Sequence, residues 1–134
     1  MSAPLGRALV TGAGGFIGHH LVSSLKQRGY WVRGVDLKRP EYSDSQADEF
    51  LVADLREAAA CRAATDGVGD VYALAADMGG MGFIANNHSI ILHNNALINL
   101  HTIEAARRNG VQRLLYTSSA CVYPEFKQTD ANVS

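Results

Sequence analysis

The sequence predicts a doubly wound parallel α/β sheet, and three observations carry that expectation. Apolar strand-like runs alternate with helix-like segments, the pattern of parallel strands joined by crossover helices. A glycine-spaced turn, "TGAGGFIG", lies between the first run and the first helix. An acidic residue, Asp36, closes the second run. The chain of 134 residues is long enough for one domain with a core and too short for two.

The elements follow in order. Residues 7–11 form a buried first strand. Ile17, Leu21 and Leu25 then recur at helical spacing, and that helix ends near Gly29. Residues 31–36, "WVRGVD", make the second strand. The polar stretch 38–48, which contains Pro40, is a loop or a short irregular helix. Residues 50–53 give a third strand, and 55–64 a helix for which Asp54 is a candidate cap. Residues 71–75 are a fourth strand, followed by the glycine-rich "DMGGMGF". A long helix over 89–108 stops at Asn109-Gly110, a left-handed cap signal. Residues 113–118 are the fifth strand. Right-handed crossovers then give the order 3-2-1-4-5, a Rossmann-like sheet. No segment after strand five is patterned to cover it. The expectation is therefore an incomplete dinucleotide-binding domain over residues 1–134, truncated after strand five, with an unprotected and aggregation-prone edge. Its remaining strands and a substrate domain would belong to a longer protein.

Bulk composition narrows the function classes. Twelve basic residues against thirteen acidic ones leave a formal charge of -1, with no electrostatic footprint for nucleic acid or an anionic membrane. Polar residues interrupt every apolar run well short of a membrane span, and the first residues lack a signal-peptide core. Cys61 and Cys121 share no metal-ligand spacing with each other or with His, so reduced thiols, a cytoplasmic setting and no metal are expected.

The glycine turn makes a specific physical demand. Gly12 permits the tight bend, Gly15 lets backbone approach a pyrophosphate, and Gly18 lets helix and strand pack closely. The helix N-terminus adds unpaired N–H groups and a positive dipole end. Asp36 can accept hydrogen bonds from ribose hydroxyls and would repel a 2′-phosphate, so NAD is expected in preference to NADP. Lys38 and Arg39 beside it read as a solvated basic turn rather than a phosphate clamp. Asp54, at the end of strand three, can contact an adenine amino group or cap the following helix; the two roles are compatible and both stay open.

The "GxxGxxG" spacing, Asp36, "DL" at 54–55 and "SSAxVY" at 118–123 together resemble the extended short-chain dehydrogenase/reductase family of NAD-dependent epimerases and dehydratases. Longer strings, "AADMGGMGF" at 75–83, "NHS" at 87–89 and "SSACVYPEFKQ" at 118–128, are similar to its GDP-mannose 3,5-epimerase branch. The resemblance implies permanently bound NAD, oxidation of the sugar at C4, proton removal and return at C3 and C5, and re-reduction at C4. It implies GDP-mannose or a related nucleotide sugar as substrate, and a homodimer for the intact family member. Cofactor contacts would come from Gly12, Gly15, Phe16, Ile17, Gly18, Asp36, Asp54, Leu55 and Ala75. Ser119 would hold the C4 oxygen and Cys121 would act as an acid–base group, with Gly79, Ser119, Ala120 and Cys121 touching the sugar nucleotide. A thiol suits that task because its pKa lies near the working pH and falls beside a cation. Related 4-epimerases carry a hydroxyl residue at the position of Cys121 and dehydratases an acidic pair, so those alternatives are disfavoured.

Tyr123 and Lys127 have the four-residue spacing of a catalytic pair but not its setting. Such a pair must share a helix face, and Pro124 biases Tyr123 away from helix. The resemblance places the functional pair on a later helix, which leaves a catalytically inactive NAD-binding module as the alternative reading of this chain. Asn95 corresponds to a family Asn that supports proton relay, or is a buried structural residue. His93 and His101 have no carboxylate or Cys at ligand spacing and read as helix residues rather than metal ligands; His19 and His20 follow Gly18 on the first helix, and His88, beside the glycine-rich loop, is assigned no chemistry.

Overall fold

Each strand-like run becomes a strand in the computed structural model, which describes residues 4–40, 43–75 and 88–116. They are β1 (Arg7–Thr11), β2 (Trp31–Asp36), β3 (Glu49–Val52), β4 (Asp70–Ala73) and β5 (Arg113–Tyr116). All pair in parallel, in the order β3-β2-β1-β4-β5 expected from the sequence. Among the described residues the helices are α1 (Phe16–Gln27), α2 (Ala58–Thr65) and α3 (His88–Arg108). Among the described residues no helix is long and apolar enough to cross a membrane.

Side chains alternate across the sheet and build two cores. On one face Ala8, Val10 and Val32 pack with Val22 and Leu25 of α1. On the other, Leu9, Val35 and Val71 pack with Cys61 and Ala64 of α2 and Ala105 of α3. Leu9, Val10, Val22, Val32 and Val35 are fully buried, and each contributes roughly 1.5–3 kcal/mol of transfer free energy. The end of α3 follows its sequence signal. Gly110 has φ +74, and Val111 N–H bonds back to Ala106 O at 3.0 Å, a left-handed helix stop.

Several expected boundaries shift for identifiable reasons. β3 begins at Glu49, one residue early, where Glu49 pairs with Arg33 of β2. β4 ends at Ala73 rather than 75, because the N–H groups of Leu74 and Ala75 turn to the Thr11 hydroxyl at 3.0 and 2.9 Å. α2 begins at Ala58 rather than 55, and its N-cap is Glu57, not Asp54. Asp54 instead closes a turn, accepting Arg56 N–H on its side chain at 2.9 Å and Glu57 N–H on its carbonyl at 3.1 Å.

The buried face of α1 also differs from expectation. Ile17 is 72% exposed, and the sheet-facing residues are Gly18, Val22 and Leu25. A Cβ at Gly18 would run into the Gly12 carbonyl. The tightest helix–sheet contact is therefore made where a side chain is missing, which an apolar periodicity count passes over. β5 lies at the sheet edge, where Leu115 and Tyr116 are about half exposed, as expected of its outer position.

The amino ends of the strands carry satisfied charges. Arg33, 8% exposed, donates to Ala64 O at 2.8 Å and Asp66 O at 2.7 Å, where α2 runs out, and pairs with Glu49 at 3.0 Å. Arg7 and Arg33 stand 3.8 and 5.1 Å from the Trp31 ring centre. Asp48 accepts Val32 N–H at 2.7 Å and pairs with Lys26 at 2.9 Å. Burial pushes the Asp48 carboxyl up, but the Lys26 ammonium and Val32 N–H outweigh it, and the net direction is down from 3.8. A depressed carboxylate adds stability that is complete above the unfolded value of 3.8 and is lost as pH falls through the lower folded value. Asp48→Asn should therefore lower Tm at pH 7, and its Tm should converge with that of the unaltered chain as the pH is taken well below 4 in calorimetric scans.

Candidate cofactor-binding site

The carboxyl ends of β1, β2, β3 and β4 open onto a cleft of about 440 Å³. It sits where the strand order reverses between β1 and β4, the crevice in which open parallel sheets bind ligands. Gly12, Gly15, Asp36, Asp54, Leu55 and Ala75 line it, so six expected cofactor residues are brought together.

The glycine turn forms its floor. Gly12 has φ +71, and a Cβ there would stand 3.0 Å from the Ala75 nitrogen and the Leu74 carbonyl carbon. Thr11, 1% exposed, draws those two backbone N–H groups over Gly12 with its hydroxyl. Gly15 is the N-cap of α1. Among the described residues no side chain caps that terminus, and no acid occupies its first turn. The first-turn N–H groups thus face the cleft end without a competing acceptor from an α1 side chain, the arrangement that receives phosphate oxygens. The side chains of Phe16 and Ile17 are 80% and 72% exposed. Any part they play in phosphate binding falls to their backbone.

Two carboxylates face the cleft from the second and third strands. Asp36 accepts Gly14 N–H on Oδ2 at 2.8 Å and Leu37 N–H on Oδ1 at 2.6 Å. Those bonds fasten the glycine turn to the end of β2 and leave about two of the carboxylate's four lone-pair sites for ribose hydroxyls. Asp54 is held by Arg56, whose Nη2 lies 2.6 Å from Oδ2. The Arg56 guanidinium keeps the Asp54 carboxyl below the usual carboxylate range. Arg39, on the exposed turn after β2, stands 5.1 Å over the Phe50 ring.

An uncapped helix terminus, a bend where a Cβ would fill the cradle, and an acceptor at the ribose position fit an adenine dinucleotide. Leu37, Arg56 and Ile98 also line the cleft, and sequence reasoning missed them together with Thr11 and Gly14. Thr11 and Gly14 stood inside the quoted turn, and Arg56 stood two residues beyond an acid, but the role of each depends on folded partners. Gly79, Ser118, Ser119, Ala120, Cys121, Tyr123 and Lys127 lie outside the described residues. Asn95 is half-buried on α3. His101, expected to be without chemistry, bonds through Nδ1 to Arg56 O at 2.8 Å. Cys61 is a buried free thiol 3.2 Å from Leu55 O, and burial pushes its pKa up, which makes it unreactive.

A larger depression of about 530 Å³ lies at the opposite, amino ends of β1 and β2. Its Lys26 and Asp48 are already bonded to each other. It lies beside the C-terminal end of α1 rather than a helix N-terminus, so the carboxyl-end cleft is the candidate site. Gly12→Ala should destabilise the chain by about 1–3 kcal/mol in urea unfolding, because it forces a side chain into a left-handed conformation against Ala75.

Comparison with known proteins agrees with this geometry. The sequence profile of the NAD dependent epimerase/dehydratase family matches residues 8–134. GDP-mannose 3,5-epimerase 1 of Oryza sativa subsp. japonica is 52% identical over 130 residues, covering 96% of this chain and 34% of its own length. GDP-mannose 3,5-epimerase of Arabidopsis thaliana is 52% identical over 128 residues, covering 93% and 34%. Among solved structures, the UDP-glucose-4-epimerase of Stenotrophomonas maltophila, with bound NAD and formylated UDP-arabinopyranose, superposes with a TM-score of 0.77 at 28% identity, over 96% of this chain and 40% of that one. The chain thus spans about a third of the length of the curated relatives it matches.

Proposed function

The chain belongs to the NAD dependent epimerase/dehydratase family, and from that premise we propose that it is the NAD-binding portion of a nucleotide-sugar epimerase that acts on GDP-mannose. The observation that supports this most is the 52% identity to GDP-mannose 3,5-epimerases over nearly the whole chain. The cleft supports the cofactor half of the reading independently.

In this reading the chain's own residues divide the work along the cleft. Asp36 accepts the adenosine ribose hydroxyls and, by charge, turns away a 2′-phosphate. Asp54 and Leu55 meet the adenine, while Gly12, Gly15 and the first-turn backbone of Phe16, Ile17 and Gly18 receive the pyrophosphate. Ala75 borders the path toward the nicotinamide. When bound, NAD supplies reversible hydride acceptance at the sugar C4. Ser119 would donate a hydrogen bond to the C4 oxygen, stabilising negative charge there. Cys121 would exchange a proton with a carbon beside C4, and Gly79 and Ala120 would offer backbone to the sugar nucleotide. A cytoplasmic setting, in which Cys61 and Cys121 stay reduced, and a homodimer of the intact protein belong to the same proposal.

Calorimetric titration tests the cofactor half. NAD is expected to bind saturably and more tightly than NADP. Asp36→Ala should weaken NAD about 10–100-fold, the loss expected when charged hydrogen bonds to ribose are removed. Incubating the NAD-loaded full-length protein with GDP-mannose in D₂O, followed by NMR, tests the sugar half. Deuterium at C3 and C5 supports 3,5-epimerisation; only 4-epimerised or dehydrated products would refute it. Binding of NAD with no exchange favours the second reading, an inactive module, which is supported by Pro124, a residue that biases Tyr123 away from helix.

A further inference from the structure

We infer that Arg56 is the positioning residue through which this cleft selects adenine over a 6-oxo purine, a role that rests on the proposal that the cleft holds NAD. The geometry around Asp54 carries it. Arg56 backbone N–H reaches Oδ1 at 2.9 Å, its Nε reaches both oxygens at 3.0 Å, and its Nη2 reaches Oδ2 at 2.6 Å. Three hydrogens thus occupy a carboxylate that offers about four acceptor sites, because the Nε–H is shared between the two oxygens.

The shared bond defines what can join. A donor arriving from the cleft, where Asp54 and Arg56 are both exposed in the wall, converts the shared Nε–H into an ordinary bond and takes the site released. The 6-amino group of adenine is such a donor. The 6-oxo group of hypoxanthine is an acceptor and meets a carboxylate lone pair instead.

Arg56 fixes the direction of this reading. The Asp54 side chain is 27% exposed and that of Arg56 46%, so without Arg56 the carboxylate is free to turn into solvent and to stop discriminating. The turn is itself fixed from a second element, since His101 on α3 bonds to Arg56 O at 2.8 Å. The Arg56 side chain therefore works from an anchored backbone. It acts on the base through Asp54.

The test compares two ligands that differ at one group. Titrate the full chain calorimetrically with NAD and with nicotinamide hypoxanthine dinucleotide, in the unaltered form and as Arg56→Met, with thermal unfolding of each. The unaltered chain should prefer NAD by about tenfold or more, and Arg56→Met should shrink that ratio to within about threefold, chiefly by weakening NAD. Arg56→Gln, which keeps a donor, should fall between them and serves if the Met variant does not fold. An unchanged ratio in a folded variant overturns the inference, as does equal weakening of both dinucleotides, the signature of a merely structural residue. Failure of the unaltered chain to bind either dinucleotide overturns the cofactor reading and the inference with it, a pattern distinct from binding with an unaltered ratio.

Discussion

The contact between Gly18 and the backbone of Gly12 governs the architecture. Helix α1 lies so close to the end of β1 that no side chain fits between them. That approach aims the α1 terminus across the carboxyl ends of the strands. It also sets which face of α1 is buried, and so which residues make the first core. Asp36 then secures the turn through Gly14, so the second strand and the glycine bend hold one relative position. Phosphate recognition by backbone needs such rigidity, because N–H groups cannot be re-aimed as side chains can.

Charge is distributed along the strands by task. At the amino ends, Arg33, Asp48 and Asp70 are tied into ion pairs or carbonyl contacts, and Arg113 reaches Asp70 across the β4–β5 pair at 2.9 Å. A guanidinium as buried as that of Arg33 is tolerable only because carbonyl oxygens at the end of α2 and Glu49 receive its protons. At the carboxyl ends, Asp36 and Asp54 keep faces toward the cleft. One rim has its charges satisfied internally, and the other leaves acceptor capacity for a ligand.

The sequence made some of this legible and hid the rest, for physical reasons. β1 and β2 are runs of strand-favouring residues bounded by glycine and acid, and they fall where local pattern puts them. The ends of β4 and the start of α2 do not, because hydrogen bonds outside the local pattern decide them. Thr11 captures Leu74 from 63 residues away, and Asp54 spends its backbone and side chain on a turn. Ile17 looked like a core residue because periodicity counts apolar side chains, whereas the close helix–strand approach falls at Gly18, as its place in the glycine turn predicted. At the site, Gly12, Gly15 and Asp36 were readable because chemistry prescribes both residue type and spacing. Arg56 was not, since an exposed Arg is ordinary until the carboxylate it holds is seen to face a cleft.

Among the described residues the two cores lie on opposite faces of the sheet, and the cleft straddles them. Its glycine bend is built on the α1 layer, while its Asp54–Arg56 turn is bonded by His101 to the layer of α2 and α3. A molecule lying across both would act as a rivet through the sandwich. Fluctuations that peel one layer from the sheet would first have to release it, so amide hydrogens on opposite faces would come to exchange in a single shared opening rather than in two separate ones.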